Sequence, residues 1–484
     1  MSNNKDKVVS GLFWKFMERI FAQGTSMLVT IVLARMLMPE AYGIVAMVMV
    51  FINIANVFVT GGFSSALIQK KDATETDFST LFYCSLAIAC IIYGVLFCCA
   101  PVIARFYNTP ELTLVLRVFS IRIIFTSYNS IQHAYVARHM IFKKFFFSTS
   151  IGTLISGVVG IGLALNGAGV WALVAQYLTN TIVDTMVLAF TIRWRPHLVF
   201  SFDSAKNLMR FGWKLLAANL IGTLYGNLRS LLIGKFYTSA DLAYYNKGKN
   251  FPDLIINNVV TSISSVLFPA MSNAGGDAAV VKTMARRSLK TISYVVFPMM
   301  LGMALVARPF IIVLLTEKWE ESVIYMQLIC LYSAFHTITD ANLQAINAMG
   351  RSDIVLKLEF IKKPVGLLMI LVALPFGVTA VAASLPVNAL FTMLVNMQPN
   401  RKLLNYTNRE QFLDLLPSVI LSICMGIVIY PLKYLPISVF WLLLLQIVLG
   451  IFTYIFLSHI TKNESYNYIK EYAVGLIKRK FKKK

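Results

Sequence analysis

The stretch GLFWKFMERIFAQGTSMLVTIVLARMLM, residues 11–38, decides how the whole chain is read. It is long and apolar enough to cross a bilayer, whose hydrocarbon core takes about 20 helical residues. Yet Lys15, Glu18 and Arg19 stand in its first turns. A charge at the centre of a lipid-facing helix costs roughly 2.5–3.5 kcal/mol on insertion scales. A span that keeps three charges needs somewhere other than lipid to put them.

Comparable apolar runs recur from end to end. The 484 residues are 57% hydrophobic and 14% charged, where a soluble chain is about a quarter charged. Mean hydropathy is +0.69. This composition predicts an all-α polytopic membrane protein; a β-barrel would show short alternating segments instead. The N-terminus MSNNKDKVVS is short and polar. The first apolar run is too long for a signal-peptide core and lacks a small-residue cleavage site, so it reads as a retained span. The cysteines, Cys84, Cys90, Cys98, Cys99, Cys330 and Cys424, fall in predicted spans without a CxxC pair. They read as small apolar packing residues, and neither metal nor cofactor is expected.

The pattern predicts about fourteen transmembrane helices, near 11–36, 43–68, 78–103, 112–137, 145–165, 168–192, 211–236, 246–271, 289–307, 322–349, 354–374, 378–398, 413–432 and 436–459. With the N-terminus inside, the inside connections hold 26 Lys and Arg and the outside ones hold 4. That asymmetry predicts both termini in the cytoplasm and an even number of spans. It also explains the net charge of +22 without nucleic acid. Beyond the spans, Ile469, Tyr472, Ala473, Leu476 and Ile477 fall at helical spacing before IKRKFKKK. The tail is either a basic amphipathic helix on anionic lipid or a frayed end that holds the C-terminus inside.

The chain also repeats itself at an offset of about 200 residues. Trp14-Lys15 corresponds to Trp213-Lys214, Arg35 to Lys235, and NGAGVWAL (166–173) to PFGVTAVA around Gly377. Parallel repeats of this kind predict two pseudo-symmetric bundles around a central cavity, with alternating access. The expected divisions are a six-helix bundle at 1–192, a cytoplasmic linker at 193–210 and a second bundle at 211–398. Two added helices at 399–460 and a basic tail at 461–484 follow.

Polar residues at helical spacing mark the faces that avoid lipid. They are Asn53, Asn56, Thr60 and Ser64; Asn219, Thr223, Gly226 and Ser230; Asn257, Thr261 and Ser264, with Asn258 and Ser265 beside them; and His336, Asp340, Gln344, Asn347 and Arg351. Such stripes either glue helices together or line a wet cavity. Gly152, Ser156 and Gly160 form a small-residue stripe suited to close helix packing.

Arg117 and Arg122 in the fourth span, and Lys214 and Arg229 in the seventh, add cations to Lys15 and Arg19. A cavity rich in Arg and Lys suits an anionic ligand, and arginine offers phosphate a bidentate fork. The competing account for the first helix is internal pairing of Glu18 with Arg19 or Lys15. Asp184, His336, Asp340 and Glu18 are candidate ion-coupling groups, although Asp184 could equally be a satisfied structural carboxylate. No HExxH, Walker A run, nucleophile elbow or DxD is present, and the chain reads as a non-enzyme.

Several pieces together resemble the polysaccharide exporters and O-antigen flippases (Wzx type) of the multidrug/oligosaccharidyl-lipid/polysaccharide exporter superfamily. They are GLFWKFMERIFAQG, LARMLMPEAYGIVAM, GFSSALIQKKD, GAGVWALVAQ, AYYNKGKNFPDLI, VLFPAMSN and NAMGRSDI, in that order. The resemblance covers nearly the whole chain and is nearest the branch serving exopolysaccharide and teichuronic acid export. It implies two helical bundles in a V, and transfer of an undecaprenyl-pyrophosphate-linked oligosaccharide across the bacterial inner membrane. It implies basic cavity positions at Arg19, Lys15 and Arg229, from which Glu18 departs. Membrane lipids, a proton or sodium as coupling ion, and the polymerase and export machinery are the implied partners. The alternative is a multidrug or toxin antiporter of the same superfamily, which would favour an acidic cavity. A membrane glycosyltransferase or O-antigen polymerase, and a membrane scaffold, are weaker alternatives.

Overall fold

A computed structural model describes residues 2–60, 67, 74–192, 194–272 and 277–471. Ser64, most of GFSSALIQKKD, and Tyr472, Ala473, Leu476 and Ile477 lie outside the described residues. So do the side chains of Ser264 and Ser265.

Among the described residues the chain is helical throughout. The helices are α1 (Ser2–Met36), α2 (Pro39–Thr60), α3 (Glu75–Phe106), α4 (Leu112–Ser120), α5 (Arg122–Arg138), α6 (Lys143–Leu165), α7 (Val170–Thr191) and α8 (Phe202–Phe236). They continue as α9 (Ser239–Ser272), α10 (Ala278–Leu305), α11 (Ala307–Leu315), α12 (Ser322–Ala348), α13 (Ser352–Ala373), α14 (Val378–Leu403), α15 (Asn408–Ile429) and α16 (Val439–Ile460). A last helical stretch covers 464–471.

Eleven helical segments are long and apolar enough to span a bilayer, so the protein is a multi-span membrane protein. The other long helices, α8, α9 and α13, are not among these segments within the described residues. In α13, Lys357, Glu359, Lys362 and Lys363 dilute the apolar sequence. Large apolar side chains stand exposed along α16, among them Trp441, Leu444, Val448, Ile451 and Phe452, as lipid contact requires.

Helix ends follow local chemistry. Thr74 and Asp77 form a reciprocal capping box at α3, and Thr407 and Glu410 do the same at α15. Asp277 caps α10 by accepting from Ala279 and Val280.

Two expected spans are refined and one connection is corrected. The first span stands as Phe13–Met36, inside a helix that begins at Ser2 because nothing in SNNKDKVVS breaks it. The span expected over 112–137 is two helices meeting at Ile121. The expected span itself stands, as Leu112–Arg138. At its break the Ser120 hydroxyl donates back to Leu116 O at 2.5 Å, and Ile121 N–H reaches Val118 O instead of continuing the regular ladder. The connection expected over 308–321 holds α11, whose run PFIIVLL is helical, followed by a 3₁₀ turn that buries Trp319 completely.

The chain divides into two compact units, residues 1–243 and 244–484. In the first unit α6 packs along α7 through the small-residue stripe. A Cβ on Gly152 would meet Asn180 O at 3.2 Å, and one on Gly160 would meet Gln176 Cβ at 2.9 Å. In the second unit α12 packs on α10 and α14, and α10 on α15.

Candidate functional site

The charged turns of α1 hold a definite place in the first unit. Trp14 packs on Phe146 and Phe147 of α6, with ring centroids 5.4 and 6.2 Å apart. The Lys15 ammonium lies 5.7 Å from the Phe142 ring centroid. Lys15 and Arg19 are exposed, while Glu18 is half-buried. His133 of α5 and Asp184 of α7 lie within electrostatic range of Glu18, as do Lys15 and Arg19 of its own helix.

Asp184 is the centre of that cluster. Its side chain is 13% exposed. Asn129 Nδ2 donates to its Oδ2 at 2.6 Å, and His133 Nε2 stands 3.4 Å from the same oxygen. Its Oδ1 is buried without a hydrogen-bond partner among the described residues. A buried carboxylate oxygen left open is costly unless a proton or cation takes it up. Asn129, His133 and Asp184 thus come together from α5 and α7, with Glu18 of α1 within electrostatic range. Asn129 and His133 were not singled out from the sequence, although they are four apart on one helix face, which was the available signal.

The arginines divide. Arg122 is engaged within its bundle: Nε donates to Thr181 Oγ1 at 2.7 Å, and the guanidinium lies 5.7 Å from the Tyr177 ring centroid. Arg117 donates to Phe97 O at 3.2 Å and covers the Phe97 ring. Arg229 is 8% exposed, and its Nε and Nη2 have no hydrogen-bond partner among the described residues. The polar stripes of α2 and α8 meet at one pair, with Asn53 Nδ2 donating to Asn227 Oδ1 at 3.5 Å. Asn53 and Asn219 are exposed, and Asn56 Oδ1 is buried with no hydrogen-bond partner among the described residues. Asn227 is a further residue missed in the sequence.

In the second unit His336 Nδ1 lies 3.4 Å from Asp340 Oδ2, one turn along α12. The charges of Lys362 and Asp253 also act on this pair's histidine. Lys362 is itself held by Glu359 at 2.6 Å. Asn257 is exposed, and its carbonyl accepts the Thr261 hydroxyl. At the end of the α12 stripe, Arg351 grips Asp353 with two bonds of 2.9 Å. That guanidinium pulls the Asp353 carboxyl down to about 2. Among the described residues no three His, Cys, Asp or Glu side chains gather as a metal site would require.

A multi-span helical protein with buried titratable side chains and a buried arginine, Arg229, with unpartnered nitrogens has the features of a transporter. Residues 32–324 match the family described as Polysaccharide biosynthesis protein, and the chain belongs to that family. It is 23% identical over 448 residues to the lipopolysaccharide biosynthesis protein WzxC of Escherichia coli K12, covering 88% of this chain and 89% of that one. It is 26% identical over 317 residues to the succinoglycan biosynthesis transport protein ExoT of Rhizobium meliloti strain 1021, covering 65% and 64%. Its fold is similar to that of the lipid II flippase MurJ, solved in an inward closed conformation. The TM-score is 0.75 at 16% identity, over 94% of this chain and 98% of that one.

Proposed function

We propose that the protein flips an undecaprenyl-pyrophosphate-linked oligosaccharide, an exopolysaccharide, O-antigen or teichuronic-acid-type repeat unit, across the bacterial inner membrane by alternating access. The observation that carries this reading is the family match over 32–324. The names of its relatives, lipopolysaccharide biosynthesis and succinoglycan transport, support a glycan as cargo. The flippase fold supports movement of that glycan on its lipid rather than its synthesis.

The side chains supply the chemistry that this cargo needs. Pyrophosphate is a concentrated anion, and guanidinium matches it with paired donors. Arg229, buried with two unpartnered nitrogens, and the exposed Lys15 and Arg19 are the proposed phosphate contacts. Arg122 holds the bundle together through Thr181. Asn53, Asn56, Asn219 and Asn257 offer amides to sugar hydroxyls. Glu18, His133 and Asp184 form the proposed coupling site, where the open Asp184 Oδ1 takes up a proton. His336 and Asp340 form a second titratable pair. The exposed cations oppose a drug antiporter, whose organic cations they would repel. Both termini lie in the cytoplasm on the positive-inside distribution.

The test is an accumulation assay. Cells lacking the protein should trap lipid-linked oligosaccharide on the cytoplasmic face and lose external glycan, and re-expression should reverse both. Normal glycan export without the protein would overturn the reading.

A further inference from the structure

The second unit carries a basic cavity at the opposite end of the chain from the α1 charges. Its volume is about 720 Å³. One face of α10 lines it with Arg286, Arg287 and Lys290, and the segment after α16 adds Lys462, Glu464 and Tyr468. Some of this charge is spent internally. Arg286 makes a two-bond pair with Asp414 at 2.7 and 2.8 Å, and Lys290 meets Glu464 at 2.6 Å. Two cations remain. Among the described residues Arg287 is covered by the Tyr468 ring, 3.6 Å from its centroid. The Lys462 ammonium has no ion pair or hydrogen bond among the described residues. Glu471 also lines this cavity.

A second cavity of about 580 Å³ shares Lys290, Lys462, Glu464 and Ser465 with the first. Its other lining sets Leu413, Leu416, Pro417, Ile420 and Leu421 beside Asp414, Ser418, Thr461 and Asn463, and Leu413, Leu416 and Ile420 are exposed along one face of α15. The chain continues past the cavity into 472–484, which holds six Lys and Arg and no acid. Of the expected amphipathic tail only Ile469 falls among the described residues. Asn463 caps the 464–471 stretch, and Tyr466 and Ile469 pack on the core cluster of Tyr294, Leu421, Met425, Ile429 and Tyr454. That stretch therefore docks on protein and forms a wall of the cavity.

We infer that this paired cavity binds one anionic phospholipid of the cytoplasmic leaflet, with the headgroup phosphate at Arg287 and Lys462 and an acyl chain along Leu413, Leu416 and Ile420. A basic pocket between membrane helices on the cytoplasmic side, opening onto an apolar groove, matches both ends of such a lipid. A free phosphate would use only the basic part. The site is separate from the proposed transport residues, so it stands or falls independently of the flippase reading.

The experiment uses the full-length protein in nanodiscs and detergent, with lipid retention read by native mass spectrometry. Phosphatidylglycerol should be retained over phosphatidylcholine. Arg287→Ala with Lys462→Ala should weaken that retention about fivefold for each cation removed. Arg287→Lys with Lys462→Arg should keep it, and unchanged melting of both variants shows that the fold is intact. Leu416→Gln should weaken retention of phosphatidylglycerol without affecting inorganic phosphate. Equal retention of the two lipids, or a double alanine variant that binds like the parent, would overturn the inference. Displacement of the lipid by millimolar inorganic phosphate would overturn it too, by making the site a simple anion site.

Discussion

Replacing Asp184 by Asn separates a coupling carboxylate from a structural one. Asn129 Nδ2 donates to Asp184 at 2.6 Å, a charge-assisted bond. Such a bond contributes about 1.5–3 kcal/mol and a neutral one about 0.5–1.5 kcal/mol. An amide oxygen in the same place still accepts from Asn129, so the change costs about 1–2 kcal/mol. A fold with about 5–15 kcal/mol in hand survives that, with a melting point lowered by a few degrees. The amide can take up no proton, however, and the open oxygen that we assign to coupling is lost. Asp184→Asn should therefore reach the membrane at parental levels, melt slightly early in detergent, and trap lipid-linked oligosaccharide inside as the deletion does. Transport at the parental rate would remove Asp184 from the mechanism. Failure to accumulate in the membrane would show that the carboxylate is structural.

Further outcomes follow from other contacts. Asp340→Asn should impair transport without lowering expression, because His336 loses the carboxylate 3.4 Å away while the helix is unchanged; matched immunoblots and the same accumulation assay check it. Gly43→Ala should lower the yield of folded protein. Its Cβ would run into the backbone of Ser239, which cannot swing aside, and overpacking of this kind costs about 1–3 kcal/mol or more. Detergent melting reads that loss. Arg122→Met should destabilise by about 1–3 kcal/mol through the lost charge-assisted bond to Thr181, whose hydroxyl keeps its bond to Tyr177 O, again read by melting.

The helices were legible because lipid imposes a simple rule: about 20 apolar residues, ended by polar turns. Lengths and most boundaries follow from it. Where it failed, local hydrogen bonding decided. At Ser120 a hydroxyl competes for Leu116 O, and in α11 a short apolar run too brief to span folds back as a helix between charged ends. The small-residue stripe of α6 was also legible, since spacing alone places Gly152, Ser156 and Gly160 on one face.

The candidate site was only half legible. Periodicity marks which face of a helix is polar, not which helix it meets. Asn129 and Asp184 are 55 positions apart, and His133 and Asp184 are 51 apart. Only packing of α5 against α7 joins them. The same limit hid the role of Arg122, whose partner Thr181 lies on another helix. It hid the basic cavity as well, which depends on the stretch after α16 folding onto α10. Arg286 and Lys290 looked like ordinary positive-inside charges, yet each holds an acid from a distant segment.

The central claim is that cationic side chains in a membrane span handle a lipid-linked anionic glycan. Arg19 tests it most directly, because it is exposed and lies in the charged turns that lipid would reject. Arg19→Ala should be compared with the parent and the deletion at matched membrane levels, measuring undecaprenyl-pyrophosphate-linked oligosaccharide on the cytoplasmic face and glycan outside. The account predicts trapped lipid-linked oligosaccharide and little external glycan, with melting unchanged. Parental glycan export from Arg19→Ala would contradict it.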